Sequence, residues 1–480
     1  MRVTLSMIVK DEEDHLPASL SAVADLVDEI VIVDTGSTDR SREIAQRFGA
    51  RVYDFPWCDH FSAARNETLR HATGDWIFWM GADDRIDEVN RNKLRTLFRG
   101  LQDELAVYMM KCWCPPDAAN PAPVLLDHAR LFRRHPAVRW KYRVHEQVAA
   151  SVVALGGRVY PTDIVIVHAG YQAVAEQEAK MERNLRLLLQ DVEEYPEDLD
   201  VLYYLAVTCQ CLRRPAESVR HCCRGIALGR YQELRTRQLY ILLTLGHYQL
   251  GQRAEALAAA AEGLRHYPDD DELLFQYAVV LRELGRPTEA EAVFWHLLRT
   301  PPAGPPLFGN EGLRGYRARH ELAQLYLQQH RDAEAEALWR ATLQEQPHYV
   351  PAWQGLGELS IKLGRFDVLE AIVQRLESSG MGRVEAALLR ALAHLTRGEL
   401  TAAEALLVPL LAAVPQAVKP RLVLARLRLR QGQYDQAEQL LREVLALDPS
   451  QPEALAEWSG LRRPAVPGTM TATEPLGSQA

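Results

Sequence analysis

The stretch DWIFWMGADDRI, residues 75–86, is an apolar run that ends in two adjacent carboxylates, Asp83 and Asp84. Carboxylate oxygens are hard donors of the kind a divalent cation takes. The plainer reading makes Asp83, Asp84, Asp87 and Glu88 first-turn acids that offset a helix dipole. Two earlier apolar runs end in a similar way. VTLSMIV leads into Lys10, Asp11 and Glu12, and EIVIVD leads into the polar turn from Asp34 to Asp39. An acid directly after a buried strand can face a ligand pocket, although Asp34 followed by TGSTD also fits a turn and helix cap. The aromatic residues Trp76, Phe78 and Trp79 read as core packing rather than as a stacking platform.

The elements that must position these residues alternate. Up to about residue 100, short β-rich runs are separated by helical patterns (LPASLSAVADLV, STDRSREIAQRFG, FSAARNETLRHATG), which predicts parallel strands joined by helical crossovers. In such sheets ligands bind beyond the carboxyl ends of the strands, where all three polar clusters fall. Ser37, Thr38 and Asp39 are expected to cap the second helix. Gly49 and Gly74 are expected to close the second and third in left-handed conformation. The N-terminal MRVTLSMIVKDEED alternates and reaches acids within ten residues, so it reads as a strand and not as a signal peptide.

The second half has another pattern. From about residue 200 the chain is rich in Leu, Ala, Glu, Arg and Gln at helical spacing, with pieces such as LGQRAEALAAA, LGRPTEAEAVF and QGQYDQAEQLL. Aligning the glycine of each piece, with Arg213 and His330 in two poorer copies, gives positions 213, 251, 285, 330, 364, 398 and 432. Four of the six intervals are 34 residues, the tetratricopeptide period of paired helices. A small residue follows five positions later (Ser218, Ala256, Ala290, Ala335, Ala403, Ala437) and lets the helices approach; Leu369 is a misfit. A heptad coiled coil has no use for a turn residue at that interval. The insertion TPPAGPPLFGNEG is expected to loop out, and the groove of such repeats commonly receives a partner.

Bulk composition excludes other classes. A net charge of −9 argues against a broad nucleic-acid surface. No apolar stretch approaches the roughly 18 residues that span a bilayer, so no integral membrane segment is expected and the protein is placed in the cytoplasm. Seven cysteines, without two pairs at zinc spacing, read as buried reduced thiols.

Taken together, LSMIVKDEE, DEIVIVDTGSTDRSREIAQRFGA, FPWCDHFSAARNETLRHATGDWIFWMGADD, VHE and VHAGY resemble bacterial glycosyltransferase family 2 proteins of the sublancin-glycosyltransferase-like group with C-terminal tetratricopeptide repeats. The resemblance runs over about residues 3–190 and is most specific from Asp28 to Gly49. It implies an α/β GT-A (Rossmann-like) domain over 1–175, a connecting helix over 176–200, and an all-α tetratricopeptide solenoid of about seven helix pairs over 201–462. A disordered tail is expected over 463–480. It also implies Mg²⁺ or Mn²⁺, a nucleotide-sugar donor (a UDP-sugar), and inverting transfer to a protein or peptide acceptor presented by the repeats.

By the same resemblance Asp83 binds the metal, joined by His168 on metal or diphosphate. Asp34 reads the nucleotide base, and Lys10, Asp11, Glu12 and Arg65 line its pocket. Arg130 holds a phosphate oxygen, and Glu146 is the candidate general base, the group that takes the acceptor proton. His168 can also be an ordinary hydrogen-bonded histidine. The family has Asp where this chain has Gly81, commonly Asn at position 11 and often an acid at position 60, here His60. The missing carboxylate at Gly81 implies weaker metal binding, with Asp84 shifting to cover the gap or water taking its place. Two alternatives stay open: a catalytically impaired domain kept as a repeat scaffold, and a transferase acting on a cell-surface glycan.

Overall fold

A computed structural model describes residues 1–115, 124–168, 174–301, 312–380, 382–448 and 451–461. The expected tail over 463–480 lies outside the described residues, as does nearly all of the TPPAGPPLFGNEG insertion.

The first half folds as one eight-stranded mixed sheet in the order β3-β2-β1-β4-β7-β6-β8-β5. The strands are β1 (Val3–Val9), β2 (Glu29–Asp34), β3 (Arg51–Asp54), β4 (Trp76–Trp79), β5 (Asp84–Arg85), β6 (Ala106–Cys114), β7 (Val124–Arg133) and β8 (Arg158–His168). The alternation of the first hundred residues produces the expected parallel set, β3, β2, β1 and β4. The other half adds antiparallel pairings, β4 with β7, β7 with β6, and β8 with β5.

Helices α1 (Leu16–Val23), α2 (Ser41–Arg47), α3 (Phe61–His71), α4 (Glu88–Gly100) and α5 (Ala149–Ala154) lie between these strands in the chain. The strand period of two sends alternate residues of β4 to opposite faces. Trp76 and Phe78 enter a cluster with Leu16, Leu20, Leu94 and Phe98, and Ile77 joins Val107, Phe132 and Trp140 in another.

Two turns differ from expectation. Helix α2 begins only at Ser41, with Arg40 at its N-cap. Asp39 accepts the Ser41 N–H at 2.9 Å, and Ser37 accepts the Asp11 N–H at 3.0 Å. The polar run therefore binds the neighbouring turn as well as its own helix. Gly49 is left-handed as expected (φ 78°), whereas Gly74 is not. Gly74 serves close approach: a Cβ there would lie 2.9 Å from the backbone nitrogen of Thr4 in β1.

After α6 (Val174–Glu194) the helices come in consecutive pairs. These are α7 (Leu199–Cys211) and α8 (Pro215–Ile226), α9 (Leu234–Gln249) and α10 (Arg253–His266), and α11 (Asp271–Glu283) and α12 (Pro287–Arg299). Then come α13 (Tyr316–Gln328) and α14 (Asp332–Glu345), α15 (Val350–Lys362) and α16 (Phe366–Ser379), and α17 (Arg383–Arg397) and α18 (Leu400–Ala413). The last are α19 (Val418–Arg430) and α20 (Tyr434–Leu447), followed by α21 (Pro452–Leu461).

All seven aligned turn positions have positive φ, including Arg213 (55°) and His330 (60°). The positions five residues later are all buried, Leu369 included. The chain divides into two compact units. Among the described residues, the first comprises those of Met1–Gln249 and Ala254–Gln276, and the second comprises Leu250–Arg253, Tyr277–Pro301 and those from Gly312 to Leu461. Helices α6 to α9 belong to the same compact unit as the sheet.

No helix among the described residues is long and apolar enough to cross a membrane. The seven cysteines are free, but Cys58, Cys211 and Cys223 are exposed, so burial does not account for them all as expected.

Candidate active site

Strand β5 is only two residues long, yet it decides the site. It pairs antiparallel with the end of β8, in a register that sets Asp84 opposite His168. Asp84 Oδ1 and Asp83 Oδ2 each lie 3.3 Å from a nitrogen of the His168 ring. One donor atom from each of the three residues lies within 4.8 Å of the others. The first-turn role falls instead to Asp87, which caps α4 by accepting the Asn90 N–H at 2.8 Å, and to Glu88.

Asp84 is fully buried and saturated on one side. Its Oδ2 accepts from Arg130 at 2.6 Å and from the Gly81 N–H at 2.7 Å, leaving Oδ1 toward His168. Burial raises its pKa, but Arg130, His168 and the Gly81 amide outweigh that and hold the carboxyl well below the usual range. The hydrogen bond to Asp84, followed by the charge of Asp83, raises His168 against the effect of burial. A set of carboxylate oxygens and one imidazole suits Mn²⁺ or Mg²⁺, and Asp84 Oδ1 is free of Arg130. The residues present therefore fit a divalent cation.

Gly81 shapes this arrangement. A Cβ at that position would meet Asp83 Oδ1 at 2.7 Å and Asp84 Oδ2 at 3.5 Å. The Asp83 carboxylate thus folds back into space that a side chain at 81 would need.

The first and second turns are stitched together beside it. Asp11 (φ 52°) accepts the Thr38 N–H at 2.7 Å, and the Glu12 N–H donates to Ser41 at 2.7 Å. Burial and the nearby Asp83 push the Glu12 carboxyl up, which ties this turn electrostatically to the acids of β5. Lys10 is exposed. Asp34 is buried; its Oδ1 accepts from Gly36 and Ser37 N–H groups at 2.9 and 2.8 Å, and its Oδ2 lies 3.5 Å from Arg42. Its turn-forming role is thus realised in the structure.

Two expected binding arginines have other partners. Arg130 is 2% exposed and is bound to Asp84, so it supports the acid cluster from behind instead of presenting a free guanidinium to a phosphate. Arg65 is paired with Glu146 at 2.6 Å. Burial raises the Glu146 pKa, but Arg65 outweighs it, and Glu146 stays ionised below its ordinary value. Both guanidinium groups also lie over the Trp79 ring, at 4.1 Å for Arg65 and 3.9 Å for Arg130. His60 caps α3, its Nδ1 accepting from the Ala63 N–H at 3.2 Å.

Sequence alone offers Asp84 as one way to cover the missing carboxylate at 81, but gives no sign that Trp79 lies under both Arg65 and Arg130. The doublet of acids was the available signal for Asp84; nothing in the sequence announces the β5–β8 register.

These features define a GT-A-like sheet domain followed by paired helices of tetratricopeptide type. Residues 4–146 match the glycosyl transferase family 2 model, and residues 244–305 and 394–456 match tetratricopeptide repeat models. The chain carries a glycosyltransferase family 2 domain at its N-terminus with tetratricopeptide repeats behind it. Of the candidate residues only His168 lies beyond the matched segment.

A TPR repeat-containing protein of Synechococcus elongatus is 36% identical over 205 residues, 41% of this chain and 49% of that one. The SPbeta prophage-derived glycosyltransferase SunS of Bacillus subtilis is 25% identical over 234 residues, 47% of this chain and 53% of that one. The chain thus spans about half the length of these curated relatives. A tetratricopeptide repeat protein of Parabacteroides merdae superposes with a TM-score of 0.43 at 17% identity, covering 55% of this chain and 98% of that one.

Proposed function

We propose that the N-terminal domain is a metal-dependent, inverting glycosyltransferase that moves a sugar from a UDP-sugar to a protein or peptide acceptor recruited by the repeats. The convergence of Asp83, Asp84 and His168 at the carboxyl edge of the sheet carries this reading. The family match and the glycosyltransferase name of the Bacillus relative support it.

Asp83, Asp84 Oδ1 and His168 would hold Mg²⁺ or Mn²⁺, which when bound supplies Lewis-acid stabilisation to a departing diphosphate. The Lys10–Glu12 turn and Asp34 frame the nucleotide pocket. Glu146, ionised and oriented by Arg65, takes the acceptor proton. Arg130 keeps Asp84 charged and fixed, so the acid cluster is pre-organised.

The experiment is turnover of a UDP-sugar panel with Mn²⁺, using cell lysate as acceptor source, alongside melting with UDP and Mn²⁺. Stabilisation that Asp83→Ala abolishes, together with transfer, is the expected result. Gly81 favours a second reading, a nucleotide-sensing scaffold. Melting shifts without turnover of any sugar would select that reading, and no metal-dependent shift would reject both.

A further inference from the structure

The loop that carries Glu146 is held largely from outside the sheet. Its backbone is left-handed at Tyr142 (φ 73°) and His145 (φ 54°), values that residues with side chains rarely adopt. Such a conformation persists only where its surroundings enforce it. One isolated bridge, Lys141 with Gln147, closes the loop on itself.

On one side α3 grips it, with the Phe61 N–H donating to the Arg143 carbonyl at 2.8 Å and the Ser62 hydroxyl to the Lys141 carbonyl at 2.8 Å. The same helix carries Arg65. On the other side stand α6 and α7. Asp191 of α6 accepts the Arg143 N–H at 3.1 and 2.9 Å through its two oxygens, and the Arg143 guanidinium at 3.0 Å. Asp198, which caps α7, also accepts from Lys141 Nζ at 2.9 Å and Tyr142 Oη at 2.8 Å. His145 lies flat on Tyr204 of α7, ring centres 4.2 Å apart and planes within 6°. Beneath, Tyr142 and Val144 pack with Leu185, Leu188, Val201 and Leu205. All these residues belong to the first compact unit.

Asp191 is 0% exposed, and burial pushes its carboxyl up against the pull of Arg143. Burying a carboxylate is a poor way to gain stability and a good way to fix a location. We propose that Asp191 is a positioning residue for the transfer: by holding the Arg143 backbone it sets the Lys141–Gln147 loop so that Glu146 meets Arg65. Helices α6 and α7 are then part of the catalytic unit and not a separable arm. This rests on Glu146 acting in the reaction proposed above.

The test compares the full-length chain with Asp191→Asn and, as a second cut of the same clamp, Asp198→Asn. Amide hydrogen exchange is followed without ligand, and turnover is followed with the UDP-sugar that the wild type accepts in the panel. In both variants the amides of residues 141–147 are expected to exchange at least roughly tenfold faster, while those of β1 and β2 keep their protection. The kcat should fall roughly ten- to a hundredfold with donor KM within about twofold, because a misplaced base costs rate and not donor binding. The acid limb of the pH–rate profile should move up as Glu146 loses part of the Arg65 interaction.

Unchanged loop exchange in both variants overturns the proposal whatever the kinetics. Faster exchange with unaltered kcat and pH profile overturns it too, since the clamp would then be structural only. A wild type inert to every UDP-sugar sinks the proposed function, and with it any role of Asp191 in transfer; the exchange data separate that failure from failure of the clamp.

Discussion

Asp84 and His168 face each other across the two-residue ladder of β5 and β8, Oδ1 to Nδ1 at 3.3 Å. A carboxylate between an imidazole and a buried guanidinium has one oxygen for each. Whatever binds in front of Asp84 must therefore contend with the proton on His168.

That competition gives the metal affinity a pH dependence. The folded pKa of His168 is raised, chiefly by its hydrogen bond to Asp84, so the proton leaves only as pH climbs through that raised value. A cation that takes the ring nitrogen must displace this proton. Mn²⁺ affinity should rise with pH, by up to about tenfold per unit, and level off once the ring is neutral. Titration calorimetry from about pH 6 to pH 8.5 checks this. His168→Gln should bind more weakly and without the slope; an unchanged slope would remove His168 from the ligand set.

Gly81→Asp should act in opposite senses with and without metal. Its Cβ would stand 2.7 Å from Asp83 Oδ1, so Asp83 must rotate, and a third carboxylate would crowd Asp83 and Asp84. Like charges at this spacing disfavour ionisation. The metal-free variant should melt below wild type, whereas Mn²⁺ affinity should tighten by roughly tenfold. Melting scans with and without Mn²⁺ read both effects. Equal affinity in the two proteins would show that position 81 does not reach the cation.

Much of this fold was legible because local patterns and tertiary demands agree. Strands β1 and β2 fall on the quoted apolar runs, and the turn positions 213 to 432 carry positive φ at every copy. What stayed hidden depends on partners remote in sequence. Asp84 meets His168 from 84 residues away, and Arg65 meets Glu146 from 81. Periodicity fixes which face a residue takes, but not which distant strand end arrives beside it. The arginines show the same limit, because a cation beside an acid cluster can bind a ligand or neutralise an acid. Burial decided for the acid at Arg130.

The two irregular repeat turns offer a stability test. Arg213 and His330 hold the left-handed conformation that glycine holds at the other five copies. That backbone costs a residue with a Cβ about 1–2 kcal/mol, partly offset by the larger entropy glycine loses on folding. Arg213→Gly and His330→Gly should each stabilise by about 0.5–1 kcal/mol, and Gly432→Ala should destabilise by at least as much. Urea melts check the signs. Destabilisation by both glycine variants would mean that the side chains contribute more than the backbone strain.

The repeats should also weaken in mild acid through His320. This ring is buried in α13, where Trp339 Nε1 donates to its Nδ1 at 3.1 Å and Gln324 lies 2.9 Å from its Nε2. The Trp339 bond needs an unprotonated Nδ1, and burial pushes the histidine pKa down to about 4. The unfolded chain takes up its proton near pH 6.5. Below that value the unfolded state binds more protons than the folded one, so the contribution is complete above about pH 6.5 and is lost as pH falls toward 4. The ceiling, some 2.5 units at 1.36 kcal/mol each, is about 3 kcal/mol. His320→Asn should flatten this part of the pH–stability curve while lowering stability at neutral pH. Urea unfolding at about pH 5 and pH 7.5, followed through tryptophan fluorescence, separates the two effects, and an equal loss at both values would mean that His320 does not titrate on unfolding.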